Sequence, residues 1–491
     1  MNKNSKVHEK FLYEIWKKQN FNKSLISKDG RIIKVIKAGT HNKDFGGPDF
    51  INAKIKIDNQ IFVGDVEIDF QYSDWKTHGH NINKKYNKVI LHIVFYDSLS
   101  SHIYTQEGRK IPTVTLENLI DSNLKENIQR AILSERKNRN SRMPCKGRNE
   151  IVSEEEKLKA IFDFGIVRFK KKCRKIYERL KEISFISELN LKEPIISYDL
   201  SEQFHNRKFT NEDFKNQDIW HQLLYENIFE ALGYSKNKDT MLNLSRSADI
   251  NFLKELDEEN FIKNIEAALF NISGLIPDVY NLPDEETSTY TRELYDCWSK
   301  IKNKYDGKTF HAAQWNFFKL RPQNFPTIRI AGGARLLNSI LNQNLMFQLI
   351  KNLEGKISQD RLIINLRSLF IIKSEGFWSD HYIFDQPSKR KINYFIGVSR
   401  ADEIIVNVVL PLLYVYFEIF GKKNLIQKII KAYINYYQQN ENSLVKEVSE
   451  TLKLNDAWKR TVLHQGMIEI FKNLCIKKKC LECGIGKKIF I

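Results

Sequence analysis

Two alternating apolar runs, Ile51 to Ile57 and Ile61 to Phe70, constrain this chain more than any other feature. Only Asp58, Asn59 and Gln60 separate them. Side chains alternate across a strand, so each run offers one apolar face. The polar break predicts a hairpin with a two-residue loop, Ile57 pairing with Gln60. In that register Ile51, Ala53, Ile55 and Ile57 share a face with Phe62, Val66, Ile68 and Phe70. The opposite face of the second run carries Val63, Asp65, Glu67 and Asp69. Same-face neighbours lie about 7 Å apart, close enough for the acids to repel. Such a row raises a pKa, recruits basic neighbours or binds a cation. The bland alternative is a solvated strand face with acids spaced among lysines.

Elements around the hairpin suit one small α/β layer. Phe11, Leu12, Ile15 and Trp16 recur at helical spacing and predict a helix over 6–19. A strand is expected at Arg31 to Ala38, followed by a polar loop punctuated by Gly46, Gly47 and Pro48. A helix between Trp75 and Asn87, a buried strand Val89 to Tyr96 and a last strand Ile111 to Thr115 complete the pattern. From Ser153 the periodicity becomes helical, opened by the capping pair Ser153 and Glu156. Further helices fit Asp218–Leu232, Phe261–Ile272, Arg329–Leu353, Leu425–Gln439 and Asp456–Leu474. Ile404 to Phe420, broken by Pro411, reads as a buried strand followed by a core helix. The expected architecture is α+β: an α/β domain with a mixed sheet over 1–120, a basic linker over 121–150, and a mainly helical region over 151–491 that ends in a cysteine cluster.

The chain has 491 residues and a net charge of +18. A phosphate-rich partner is the functional reading of that charge, DNA ahead of RNA, with affinity that falls steeply as salt rises. Compositional drift is the competing reading. No apolar run is long enough for a membrane span, and no secretory leader pattern opens the chain, so a cytoplasmic location is expected. Phosphate-loop, dinucleotide-binding and serine-hydrolase signatures are absent.

Asp49 begins the first hairpin strand and Glu67 lies inside its partner, a layout that suits Mg²⁺ or Mn²⁺ with phosphate. Ideal pairing sets Asp49 opposite Ile68, and a regular pleat turns it to the Ile68 side, away from Glu67, unless Pro48 breaks the pleat at the strand start. Asp65 and Asp69 are further candidate ligands. His78 and His80 follow Asp74-Trp75 and can touch a metal, supply a base or simply cap a helix. His92, inside an apolar strand, reads as a satisfied core histidine. Cys475, Cys480 and Cys483 supply soft ligands for zinc or iron–sulphur, with Cys145 as the candidate fourth; free thiols are the alternative. Arg321 and Arg329 flank a helix start where phosphate can bind, unless they pair internally. Phe377-Trp378 is either a base-stacking patch or an internal contact.

The run Gly47-Pro48-Asp49, the hairpin, Glu67, then a helix and buried strand resembles the PD-(D/E)XK nuclease superfamily. That resemblance implies a restriction-endonuclease-like fold, with Asp49 and Glu67 as metal ligands and Glu14 joining from the first helix. The lysine two residues after the second acid is replaced here by Asp69. Lys54, Lys56, Lys84 or Lys85 are the candidate substitutes, Lys84 and Lys85 also as nucleic-acid contacts. Over nearly its whole length the chain is similar to the bacterial domain of unknown function 2851, through GPDF, GDVEID, SDWKTHGH, VILHIVF, NIFEALGY, LRPQNFPTIRIAGGARLL, FWSDHYIF and CLECGIG. That family implies histidine where Asp69 stands and brings no established activity. The expected function is metal-dependent phosphodiester hydrolysis or nuclease-like nucleic-acid binding. The alternative is a non-enzymatic interaction or scaffold protein.

Overall fold

Helix α1 (Glu9–Lys18) lies against one face of a mixed sheet, burying Leu12, Ile15 and Trp16 at helical spacing. The computed structural model describes residues 9–19, 24–42, 47–96, 102–116, 119, 143–189, 202–279, 287–318, 320–438, 442–454 and 459–490. Its strands are β1 (Leu25–Ile26), β2 (Ile32–Lys37), β3 (Thr40–His41), β4 (Phe50–Ile57), β5 (Gln60–Gln71), β6 (Val89–Tyr96), β7 (Ile103–Tyr104), β8 (Lys110–Ile111) and β9 (Thr113–Thr115). The main sheet runs β1-β2-β4-β5-β6-β9, with β3 beside β4. Strands β2, β4 and β5 form an antiparallel meander. Strands β6 and β9 then add in parallel. The hairpin register is the expected one, Ile57 opposite Gln60.

The expected core stripe on β5 is shorter than its pattern. Pairing with β6 begins only at Asp65, so Phe62 and Val63 project beyond cover and are exposed. Val66 and Ile68 are buried as expected. The acids Asp65, Glu67 and Asp69 are also buried, which removes the solvated-face reading of this strand. The helix expected between Trp75 and Asn87 is broken into α2 (Asp74–Thr77) and two 3-10 turns, His80–Ile82 and Lys84–Tyr86. Gly79, at φ 76°, breaks the first turn.

A second, larger core spans residues from Met143 to Ile485. Its spine is the helix Glu154–Glu188, opened by the Ser153–Glu156 capping box. Linker residues 120–142 lie outside the described residues, and Met143 and Cys145 already belong to this second core. The helix expected over Arg329–Leu353 is two helices, Pro326–Leu341 and Leu345–Glu354, parted at Asn344, whose φ is 49°. Residues from Val398 to Ile419 are helical throughout, so no strand precedes the helix there. A wide π turn, Ile405–Val409, leads into Leu410 and Pro411, and its loosened backbone bonds tolerate the proline's missing N–H. Among the described residues no helix is long and apolar enough to cross a membrane.

Candidate functional site

The site begins with an irregularity in the hairpin. From Ile57 to Ala53 the pairing is regular, Ala53 facing Gly64. Phe50 then faces Val66, so β4 carries one extra residue between them. Asn52 sits in this bulge at φ 57°, and its N–H donates to Asp65 Oδ1 at 3.1 Å. The bulge resets the alternation, so Phe50 joins Ala53, Ile55 and Ile57 in the core despite the odd spacing. Extending the reset register places Asp49 opposite Glu67 rather than Ile68. The regular-pleat expectation is therefore corrected. Asp49 N–H donates to Glu67 Oε2 at 3.0 Å, and Ile68 N–H donates to Asp49 Oδ2 at 3.0 Å. From α1, the Tyr13 hydroxyl donates to Asp49 Oδ1 at 2.5 Å.

Histidines close around the other two acid positions. His80 Nε2 lies 3.1 Å from Glu67 Oε1 and 3.8 Å from Asp69 Oδ2. His78 Nδ1 is 2.9 Å from Asp69 Oδ1, and His92 Nε2 is 3.1 Å from Asp69 Oδ2. Local sequence builds this enclosure. Trp75 is buried, donates to Tyr104 O at 2.9 Å, and sets its ring edge-on against His80 and His92. Gly79 turns the chain between the two histidines, where a Cβ would press on the Phe317 ring at 3.2 Å. The Tyr86 ring centres 4.0 Å from that of His80.

Charge states follow from this packing. Burial pushes the Asp69 carboxyl up, but His78 and the His92 hydrogen bond outweigh it and hold Asp69 well below the usual carboxylate range. Burial drives His80 down to about 3 despite the nearby Asp69 charge. At neutral pH the site thus holds a carboxylate beside a neutral imidazole, the forms in which these groups ligate metals. His80 is only 1% exposed; its Nε2 faces the Glu67 carboxylate at 3.1 Å, and its Nδ1 makes no hydrogen bond. Asp69, His78 and His80 each present a donor atom within 4.8 Å of the others.

Asp49, Glu67, Asp69, His78 and His80 are therefore brought together. His92 is the buried core histidine the sequence suggests, yet its partner is the site's own Asp69. Tyr13 and Tyr86 were not legible as site residues, since aromatic residues at these spacings read as core. Asp65 is committed to the Asn52 bulge, and burial raises its pKa. The Glu14 side chain lies outside the described residues. Lys54 is exposed on β4, five residues from Asp49 and on the order of 15 Å along the strand. Lys84 and Lys85 are exposed on the turn Lys84–Tyr86. Lys85, His78, Gly47 and Tyr86 line a cleft of about 310 Å³ whose far wall includes Asn316 and Phe318.

Two other sequence candidates are internal. Arg329 is buried, its guanidinium donating to Phe395 O, to Tyr234 Oη at 2.8 Å and to Asn324 Oδ1 at 2.7 Å. It fastens a helix start and is not available to phosphate, whereas Arg321 is exposed. Trp378 is buried and donates to Tyr290 Oη at 2.8 Å, with Phe377 stacked on Tyr290, so this pair packs the interior instead of stacking a base.

A family model described as a protein of unknown function (DUF2851) matches residues 9–188 and 200–443. No curated protein and no solved structure matches the chain.

Proposed function

The chain belongs to this DUF2851 family, and from that premise we propose that its N-terminal domain is a divalent-metal-dependent phosphodiesterase acting on nucleic acid. The observation that carries the reading is the gathering of Asp49, Glu67, Asp69 and His80, all buried, around His78, which lines the cleft. Asp69, His78 and His80 would hold the ion, with Glu67 adjacent. Two imidazoles among the donors favour Mn²⁺ or Zn²⁺ over Mg²⁺. When bound, such an ion polarises a phosphoryl oxygen and acidifies water. Asp49 is a positioning residue: its N–H fixes Glu67 Oε2, and its own carboxylate is held by Tyr13 and the Ile68 N–H. Lys85 offers positive charge at the cleft. The order of a helix, an antiparallel meander, a crossover and a parallel strand resembles that of PD-(D/E)XK nucleases, an analogy that supports the reading. A cleft of about 310 Å³ is of small-ligand size. That size suits a nucleotide unit of a single strand.

A second reading has its own observation. His78 and His92 already occupy both Asp69 oxygens. The cluster would then be a silent structural network in a nucleic-acid-binding or scaffold protein.

Incubation of the purified chain with single-stranded and duplex DNA and RNA, in Mn²⁺, Zn²⁺ or Mg²⁺, separates the two. Cleavage should depend on the ion, prefer single strands and fall at least about 100-fold in Asp69→Asn and His80→Gln variants that keep their circular dichroism. No cleavage and no calorimetric metal binding at the site would leave only the silent reading.

A further inference from the structure

The last segment of the chain folds back onto the start of the helical region. Helix Thr461–Ile470 runs on through a π turn, Phe471–Cys475, and the chain reverses through Lys478, whose φ is 54°. A 3-10 turn, Cys480–Glu482, follows, and then the final helix Gly484–Phe490. This fold-back is tightly bonded: Lys479 N–H donates to Leu474 O at 2.9 Å, and Cys483 N–H to Cys480 O at 3.1 Å. A Cβ on Gly486 would lie 2.2 Å from Cys480 O, so only glycine lets the final helix rest on that turn. The same helix packs against the turn Asn149–Ile151 and the helix Glu154–Glu188. Lys488 pairs with Glu156 across this contact.

Cys145 waits on the other side of it. Asn149 Nδ2 holds the Cys145 carbonyl at 3.1 Å and Thr451 O at 3.0 Å, fixing the cysteine turn against the end of helix Ser443–Leu452. Cys145, Cys475 and Cys483 are buried, Cys480 is half-buried, and none forms a disulfide. We propose that Cys145, Cys475, Cys480 and Cys483 together ligate one soft metal centre that staples the C-terminal segment to the segment that opens the helical region. This centre is independent of the carboxylate–histidine site.

Three observations carry the assignment. The final helix meets the turn Asn149–Ile151, just after Cys145, through a built contact between the two ends of a long stretch of chain. The spacing Cys475-x4-Cys480-x2-Cys483, with tight turns in both gaps, lets one short segment supply three sulfurs. Cys145, Cys475 and Cys483 are buried at this contact, where a coordinating cation would hold them as thiolates.

Four thiolates suit either a lone zinc or an iron–sulphur cluster, and the metal content distinguishes the two.

Purification of the full chain without oxygen, with iron, acid-labile sulfide and zinc measured per chain, tests the proposal. Either one zinc per chain, or iron and sulfide in near-equal amounts with broad visible absorption, should appear. That metal should fall at least about five-fold in Cys480→Ser and in Cys145→Ser. Cys173→Ser and Cys297→Ser, which replace cysteines outside the quartet, should match the wild type. Cys480 is half-buried, so its variant remains informative if Cys145→Ser fails to fold. Zinc or iron with this cysteine dependence would uphold the four-thiolate site and identify its metal. A metal-free chain, or metal content indifferent to these substitutions, would overturn the proposal itself.

Discussion

The main-chain N–H of Asp49 donates to Glu67 Oε2 at 3.0 Å, although ideal hairpin pairing would set Asp49 across from Ile68. One extra residue in β4 makes the difference, and Asn52 carries it at φ 57°. The Asn52 N–H is tied to Asp65, so that buried carboxylate helps to hold the bulge open. The two acids named by sequence pattern thus meet because of a backbone defect four residues or fewer from Asp49 in the strand.

Asn52→Val should strain this bulge. A β-branched residue in the left-handed region costs about 1–2 kcal/mol, whereas glycine adopts it freely. Urea unfolding should show that loss for Asn52→Val and a change of only a few tenths for Asn52→Gly. Equal midpoints for valine and wild type would remove the bulge as a determinant of register.

Lys85 is exposed at the cleft mouth. If single-stranded nucleic acid enters there, Lys85→Ala should lower the slope of log affinity against log salt by about 0.7, the share of one phosphate contact. Fluorescence anisotropy with a labelled oligonucleotide over a salt series reads this directly. An unchanged slope would take Lys85 out of the interface.

His464 sets a pH dependence of stability. It is fully buried on helix Thr461–Ile470, neither ring nitrogen is hydrogen-bonded, and burial pushes it down to about 4. Glu403 opposes that shift, while Lys172 and Arg168 reinforce it. The unfolded chain takes up this proton near pH 6.5 and the folded chain only near 4, so stability falls as pH drops between those values. One proton accounts for at most about 1.4 kcal/mol per pH unit. His464→Gln should flatten the unfolding free energy over that window relative to the parent. Parallel curves would mean that His464 is protonated in the fold.

Arg329 should prove structural. Burial pushes its pKa down to about 10, which leaves it charged at neutral pH and dependent on Phe395 O, Tyr234 and Asn324. Arg329→Gln should cost roughly 2–4 kcal/mol, because a buried hydrogen-bonded cation leaves its acceptors unpaired when removed. Thermal unfolding should register the loss, while nucleic-acid affinity per folded molecule stays the same. A full-stability variant with weakened binding would return Arg329 to the ligand-binding surface.

Local pattern alone determined much of this protein. Alternation specified the hairpin and the Ile57–Gln60 pairing, and the apolar run Val89 to Tyr96 specified β6 with its bounds. The Ser153–Glu156 pair marked the start of the long helix, because capping is a contact between residues three apart. It also singled out Asp49, Glu67, Asp69, His78, His80 and the cysteines as chemistry-bearing residues. Only tertiary structure decided how they are used. Period-two patterning cannot reveal a bulge, so Asp49 seemed to face away from Glu67. Nor can it reveal burial on both faces of β5, which turns Asp69 from a misplaced lysine position into the anion gripped by His78 and His92. Lys54 was named for its face of the hairpin and Arg329 for its place at a helix start, and three-dimensional packing left one in solvent and the other in the core. Charge, capping and periodicity are properties of neighbours in the chain. Burial, register shifts and the meeting of Cys145 with a segment 330 residues away depend on contacts that no local window contains.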